Sequence, residues 1–226
     1  MRQQKFHGVP DTASPHGSRA RVRLRCKVFF IGFNKCATRS LHAYFRSQGV
    51  RSYHAGDKTE LHDKVTNNVA RGVQKPLDTV DQHDIYLDTE AIRINFQILD
   101  LEYPGSKFVF QYRDLNEWLL SRLNHRDGRY VDFCNQWLGL DRTWMEWLVV
   151  WRREFLEHER AVLKYFSGRD DQFLRFDVVN DRLTDLIAFI GDDRLRSQEG
   201  LPRTGVTGQK YYALQGDQFV KLVERL

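Results

Sequence analysis

Paired cysteines are absent from this sequence, and their absence restricts its class. The chain has three cysteines, Cys26, Cys36 and Cys134, an odd number with no CxxC spacing. A disulfide framework and a cysteine-based zinc site are therefore not expected, and the cysteine usage fits a reducing compartment. No other spacing typical of metal ligands stands out, so we expect no metal.

Long apolar runs are also missing. No stretch approaches the roughly 18 apolar residues that a membrane-spanning helix needs. The first 25 residues have no apolar segment typical of a secretory signal. We therefore expect a cytoplasmic protein without a membrane span.

Positive charge is in excess. The formal net charge is +5 over 226 residues, which indicates an anionic partner without naming it. Several arginines cluster towards the end of a segment broken by glycine and proline, and this segment predicts a flexible basic arm over residues 1–25. Residues 26–226 are expected to form a single domain. Nucleic-acid binding through the arm is disfavoured, because the arm lacks interleaved aromatic residues and a recognised module.

Short apolar runs alternate with helical patterns along the remainder. Residues 27–31 and 107–112 are the clearest buried strands, and residues 85–87 and 172–176 are shorter candidates. A single helix is expected over residues 91–101. This alternation predicts an α/β fold in which a parallel sheet is flanked by helices. Ligands of such sheets bind beyond the carboxyl ends of the strands.

Four tryptophans recur at helical spacing within residues 133–166, a largely helical segment interrupted near Gly139. Trp137, Trp144, Trp147 and Trp151 step by seven, three and four positions. The spacing predicts that they share one face directed towards the core.

A candidate anion site follows the first strand. The loop after Gly32 opens a helix, so it offers unpaired backbone N–H groups and the positive end of a helix dipole. Lys35 adds a positive charge, and small residues at Cys36 and Ala37 allow close approach of an anion. The loop is not a Walker A motif, because the lysine lies three residues after Gly32 and no second glycine precedes it. An ordinary turn with a surface lysine is the alternative.

A second candidate follows the strand over residues 107–112. Arg113 stands just beyond the strand end, where a guanidinium can form a bidentate pair with a phosphate. Ser121 lies eight residues later. The alternative for Arg113 is a surface ion pair with Asp114 or Glu117.

Together the two segments resemble the PAPS-dependent sulfotransferase family. PAPS is 3′-phosphoadenosine-5′-phosphosulfate, the donor of the sulfuryl group, and PAP is the bisphosphate product. The loop Phe33-Asn-Lys-Cys-Ala-Thr-Arg-Ser-Leu41 is similar to the family's 5′-phosphosulfate loop, P-K-[ST]-G-T-[ST]-x-L. Arg113 and Ser121 match the family's 3′-phosphate motif.

A third segment also bears on the resemblance. Residues 202–210 are similar to the R-K-G-x-x-G-x-W-K stretch that closes over the nucleotide in cytosolic members. Departures at Asn34, Cys36 and Ala37, and Leu115 in place of a proline, bring the chain closer to bacterial branches of the family.

The resemblance implies a P-loop-like sulfotransferase fold and a set of donor-binding residues. They are Asn34, Lys35, Cys36, Ala37, Thr38, Arg39, Ser40, Arg113, Ser121, Arg203 and Gly205. Lys35 is expected to stabilise the charge that grows on the oxygen bridging phosphate and sulfate.

His54 is the first choice for the base that takes the acceptor's proton. Asp88 and Glu90 are its rivals, and His42 and His125 rank lower. The acceptor, a hydroxyl or amine compound of small-molecule or carbohydrate type, is not readable, although residues 54–90 and 125–145 are expected to form its pocket. Its lining could include Tyr130, Phe133 and Trp137, for which core packing is an equal explanation.

Two other functions remain open. One is a P-loop-type nucleotide-dependent phosphotransferase, and the other is a non-catalytic nucleotide-binding protein. The oligomeric state is also open.

Overall fold

The fold was analysed in a computed structural model that describes residues 23–55, 60–77, 83–198, 200–202, 204 and 216–223. The predicted basic arm over residues 1–25 falls almost wholly outside these ranges. The division of the chain at residue 26 therefore stays a prediction.

A five-stranded sheet forms the centre of the molecule. Its strands are β1 (Val28–Phe30), β2 (Ser52–His54), β3 (Ile85–Leu87), β4 (Lys107–Tyr112) and β5 (Phe173–Asp177). All the strand pairs are parallel, in the order β2-β3-β1-β4-β5. The predicted α/β class with a parallel sheet flanked by helices is thus confirmed.

Nine helices in the described ranges connect and cover the strands. They are α1 (Thr38–Ser47), α2 (Glu60–Ala70), α3 (Glu90–Ile94), α4 (Phe96–Glu102), α5 (Leu115–Leu123), α6 (Tyr130–Leu138), α7 (Trp144–Tyr165), α8 (Leu183–Ile190) and α9 (Gly216–Val223). None of the helices in these ranges combines the length and apolarity needed to cross a membrane.

The sheet has one thick and one thin apolar layer. Phe29, Phe108 and Phe110 point into a cluster that includes residues of α2 to α7 and α9. Val28, Phe30 and Val109 point the other way, into a cluster with α1 and α8. Successive residues of one strand face opposite layers, which explains why these strands are apolar on both faces.

Two sequence-based expectations about helices are wrong in detail. The helix expected over residues 91–101 divides into α3 and α4 at Asn95, whose side-chain amide donates a hydrogen bond to the Ala91 carbonyl (2.8 Å). The tryptophan stripe also fails: Trp147 and Trp151 are buried, but Trp137 is 71% exposed. The Gly139 break places Trp137 on α6, so the spacing does not continue into α7.

Candidate active site

The carboxyl ends of β1, β4, β3 and β2 meet at one edge of the sheet, and each is followed by a candidate residue. The loop over residues 31–37, here called the phosphate loop, follows β1; Arg113 follows β4, Asp88 follows β3 and His54 ends β2. Parallel pairing aligns these ends. The order of strands therefore brings together residues that lie far apart in the sequence.

The phosphate loop has a backbone suited to anions. Lys35 and Ala37 adopt positive φ angles of 64° and 53°, whereas Cys36 between them does not. Alternation of this kind turns successive N–H groups into one concavity, which binds anions. Ala37 is also the N-cap of α1 and makes no side-chain capping bond, so its helix begins without a side chain occupying the first N–H groups.

Gly32 allows the loop to start close to β4. Its N–H donates to the side-chain oxygen of Gln111 (2.8 Å). A Cβ at this position would lie 2.0 Å from the Gln111 carbonyl oxygen, so a larger residue would push β1 and β4 apart. The glycine is thus required by close packing and not by a positive φ.

Asn34 fastens the loop to the neighbouring helices. Its carbonyl accepts a hydrogen bond from the Trp118 indole (2.9 Å), and its side-chain oxygen accepts one from Arg122 (3.3 Å). Its amide nitrogen donates to the Tyr130 hydroxyl (3.1 Å). These bonds explain why an asparagine occupies this position, and they hold the loop against α5 and α6.

Lys35 and Arg113 lie close enough to influence each other. Burial lowers the pKa of Lys35, and the charges of Arg113 and Arg39 lower it further, while Asp88 raises it. None of the ion pairs between described residues includes Lys35, Arg39 or Arg113. The site therefore concentrates positive charge that an anionic ligand would neutralise.

The side chain of Arg113 has a hydrogen-bond donor without an acceptor among the described residues. Its Nε is buried and has no hydrogen-bond partner among the described residues. The alternative ion pair with Asp114 is not formed, because the Asp114 carboxylate caps α5 by accepting from the N–H groups of Asn116 and Glu117 (2.9 and 3.1 Å). A buried donor without a partner is costly, and a phosphate oxygen would satisfy it.

Ser121 lies on α5 and is half-buried. No hydrogen bond among the described residues joins it to Arg113. Arg203 and Gly205 lie outside the described residues. Thr204 between them is described: its hydroxyl lies 3.3 Å from the Ser40 hydroxyl, and its N–H donates to the same oxygen (3.4 Å).

His54 and Asp88 form a polar pair at the tips of β2 and β3. His54 Nε2 lies 3.4 Å from an Asp88 carboxylate oxygen and 3.2 Å from the Thr38 hydroxyl. The His54 side chain is only 3% exposed, against 22% for Asp88. Asp88 has a φ of 57°, a conformation that aspartate tolerates better than most residues.

The remaining candidates for the base are Glu90, His42 and His125, and each has a different environment. Glu90 opens α3 and pairs with Arg93 at 3.2 Å. His42 Nδ1 lies 2.8 Å from the Ser52 hydroxyl. His125 lies near the loop, and its pKa is lowered to about 4 by burial and by Lys35 and nearby arginines.

Cys36 is inert despite its position in the loop. The side chain is fully buried, and burial raises the pKa of its thiol to about 12. The thiol therefore stays protonated at neutral pH and is a poor nucleophile. It acts as a small apolar side chain that lets the loop pack on the core.

Arg122 and Tyr130 are site residues that sequence reasoning missed or left ambiguous. The Arg122 guanidinium lies over the rings of Trp118, Tyr130 and Trp151 at 4.8–5.3 Å. Its Nε is buried and has no partner among the described residues. Its place beside Ser121 and its i, i+4 spacing from Trp118 on α5 could have drawn attention to it, whereas Trp151 lies 29 residues away in the sequence.

A parallel α/β sheet with an anion-binding loop between its central strand and the next helix defines the P-loop-like class of phosphate-binding folds. Within that class, residues 27–195 match the family model of the sulfotransferase domain. The chain belongs to this sulfotransferase family and is an enzyme of sulfuryl transfer. The sequence matches no curated protein.

Proposed function

We propose that the enzyme transfers a sulfuryl group from PAPS to a hydroxyl or amine of a small-molecule or carbohydrate acceptor and releases PAP. The observation that carries this proposal is the concentration of positive charge at the tips of β1 and β4. Lys35 and Arg113 are close enough for one charge to lower the pKa of the other. PAPS carries phosphates at two separate positions, so cations at the tips of two neighbouring strands suit it.

The chemical types of the residues fit this donor. The concave loop backbone at positions 34–37 and the first turn of α1 would hold the 5′-phosphosulfate, with Lys35, Thr38, Arg39 and Ser40 adding donors. Arg113 would hold the 3′-phosphate through the buried Nε that has no protein partner in the described ranges, together with Ser121. Arg203 and Gly205 stay in the proposal from the sequence resemblance alone.

PAPS supplies an activated sulfuryl group whose S–O bond to phosphate breaks as the acceptor oxygen or nitrogen bonds to sulfur. Lys35 stabilises the negative charge that grows on the departing phosphate oxygen. Loss of one preorganised donor of this kind typically slows a reaction by about 10²–10³-fold. The burial of Lys35 strengthens this interaction, because water screens it less.

The acceptor's proton needs a base, and the geometry favours Asp88 over His54. Thr38 and Asp88 already surround His54 Nε2, and the imidazole is almost wholly buried. Asp88 is more exposed than His54, so an acceptor can reach its carboxylate more readily. We assign proton acceptance to Asp88 and the positioning of its carboxylate to His54.

Ligand-induced thermal stabilisation tests the donor. PAP is expected to raise the stability of the protein, by about 2.7 kcal/mol at a hundred times its dissociation constant. ATP with Mg²⁺ serves as the comparison. Stabilisation by ATP–Mg²⁺ and none by PAP would contradict the proposal and favour a phosphotransferase.

A further inference from the structure

A row of aromatic rings leads away from the phosphate loop along α6. The His125 ring lies 4.9 Å from that of Tyr130, and Tyr130 lies 5.9 Å from Phe133 with an angle of 18° between the rings. The Phe133 ring lies 6.0 Å from Trp137. Positions 130, 133 and 137 share one helix face, so these three residues, here called the aromatic row, form a continuous surface.

The inner end of the aromatic row belongs to the active site. The Tyr130 hydroxyl accepts a hydrogen bond from Asn34 in the phosphate loop (3.1 Å). His125, in contact with Tyr130, is close enough to Lys35 that the lysine charge lowers its pKa. The row therefore starts beside the residues assigned to sulfuryl transfer.

The outer end of the row is open and apolar. Exposure increases from Tyr130 (8%) through half-buried Phe133 to Trp137 (71%). Leu138 and Leu140, next to Trp137, are also exposed. An exposed tryptophan at the end of a continuous path from a reaction centre is unusual for a surface that only faces water.

Polar side chains of α6 stand beside the aromatic row and are not part of it. Of the two carboxamides on α6, Gln136 is exposed, whereas the Asn135 oxygen accepts from the Trp147 indole (2.8 Å) and its nitrogen donates to the Arg142 carbonyl (2.8 Å). The Arg126 guanidinium lies over the Phe133 ring, 3.8 Å from its centroid, and covers that side of the ring. The ring that stays exposed at the outer end of the row is therefore that of Trp137.

We propose that the aromatic row is the acceptor subsite and that it takes an elongated aromatic acceptor with more than one ring. A hydroxyl at one end would reach Asp88 and Lys35, and the distal ring would stack on Trp137, the exposed ring at the outer end of the row. The seven helical steps from Tyr130 to Trp137 span about 10 Å, which suits a molecule of two or three rings. This inference rests on the proposed function, because it assumes that transfer occurs beside Lys35.

Two probes that differ only in the distal ring test the stacking. Binding of 4-phenylphenol and of 4-cyclohexylphenol to the full chain is measured by calorimetry with PAP present. We expect the wild type to prefer the aromatic probe about threefold to tenfold, because stacked rings attract beyond their area burial. Trp137→Leu keeps an apolar side chain but removes the ring, so it is expected to abolish the preference.

Leu140→Ala is the matched control, since it alters an exposed apolar residue of the same surface outside the row. It is expected to retain the preference of the wild type. PAP binding, titrated first in each sample, should be equal in all three proteins.

The outcomes separate this inference from the proposed function. If PAP binds but neither phenol binds, or if Trp137→Leu leaves the preference intact, the aromatic acceptor is overturned and the donor assignment stands. A dimer that Trp137→Leu converts to monomer in sedimentation would also overturn it, because the row would then be a subunit interface. Absence of PAP binding would overturn the proposed function and this inference with it.

Discussion

The two ends of the candidate active site are built differently. The donor end, at the tips of β1 and β4, holds its loop through several bonds to Asn34 and through the close contact of Gly32 with Gln111. The acceptor end, at the tips of β2 and β3, depends on the contacts of His54 with Asp88 and Thr38. The donor end is cationic, whereas the acceptor end carries a carboxylate.

This difference matches the demands on each end. The donor is the same molecule in every turnover, so a rigid binding loop is an advantage, because preorganised groups need no rearrangement during the reaction. An acceptor must enter, lose a proton and leave as a product. Its binding site therefore needs an open surface and a base. Substitutions at the two ends should therefore separate binding from turnover.

The largest effect is expected at the acceptor end. Asp88→Asn keeps the size of the side chain and tolerates the positive φ, but it cannot take a proton. The kcat is expected to fall by about 10²–10⁴-fold, the usual contribution of a positioned base. PAP binding should change less than kcat, since the substitution removes none of the proposed phosphate donors, although Asp88 is close enough to Lys35 to raise its pKa. Turnover assays and a PAP titration on the same protein measure both.

Two further variants locate the proton acceptor. His54→Gln is expected to reduce kcat less than Asp88→Asn and to alter its dependence on pH, because His54 acts through Asp88. Glu90→Gln changes an exposed carboxylate paired with Arg93 and should leave kcat nearly unchanged. A greater loss in His54→Gln than in Asp88→Asn would return the role of base to the histidine.

An intermediate effect is expected at the donor end. Arg113→Lys keeps the charge but loses the planar fork and the Nε donor, so PAP should bind about 10–100-fold more weakly. Arg46→Lys, an exposed change in the last turn of α1, is the control and should bind PAP as the wild type does. Equal affinities in the two variants, measured by calorimetry, would remove Arg113 from the phosphate site.

The fold was predictable because its signals are local. Residues 28–30 and 107–112 are apolar on both faces, as buried parallel strands are, and the alternation of strands and helices indicates the parallel sheet. The break between α3 and α4 was not predictable, because the apolar periodicity runs through Asn95. The burial of Trp137 was predicted wrongly for a related reason. The tryptophan spacing continues across Gly139, but the helix ends there.

The site residues could be predicted from the sequence only where a single short segment contains both the strand and the charged residue that follows it. Lys35 and Arg113 follow strong strands, so position alone made them candidates. The packing of Arg122 on Tyr130 and Trp151 depends on how α5, α6 and α7 pack together, which the local sequence pattern does not give. The preference for Asp88 over His54 likewise depends on burial at the ends of β2 and β3.

The smallest effect concerns the support beneath the donor loop. His158 Nε2 donates to the Ile31 carbonyl (2.6 Å), and the pKa of this histidine is lowered to about 4, mainly by burial. In the unfolded chain the same group titrates near 6.5. Between these values the unfolded state binds more protons, so the free energy of unfolding should decrease as the pH falls from about 6.5 towards 4.

His158→Gln isolates this contribution, because a glutamine amide can still donate to Ile31 but does not titrate. Urea unfolding at several pH values is expected to show a shallower loss of stability in acid, by at most about 1.4 kcal/mol per pH unit. A residual slope should persist, since the pKa of His125 is lowered to about 4 as well. An unchanged slope would mean that His158 is already protonated, or exposed, in the folded protein, and the donor loop would then lack the neutral, rigid support that distinguishes it from the acceptor end.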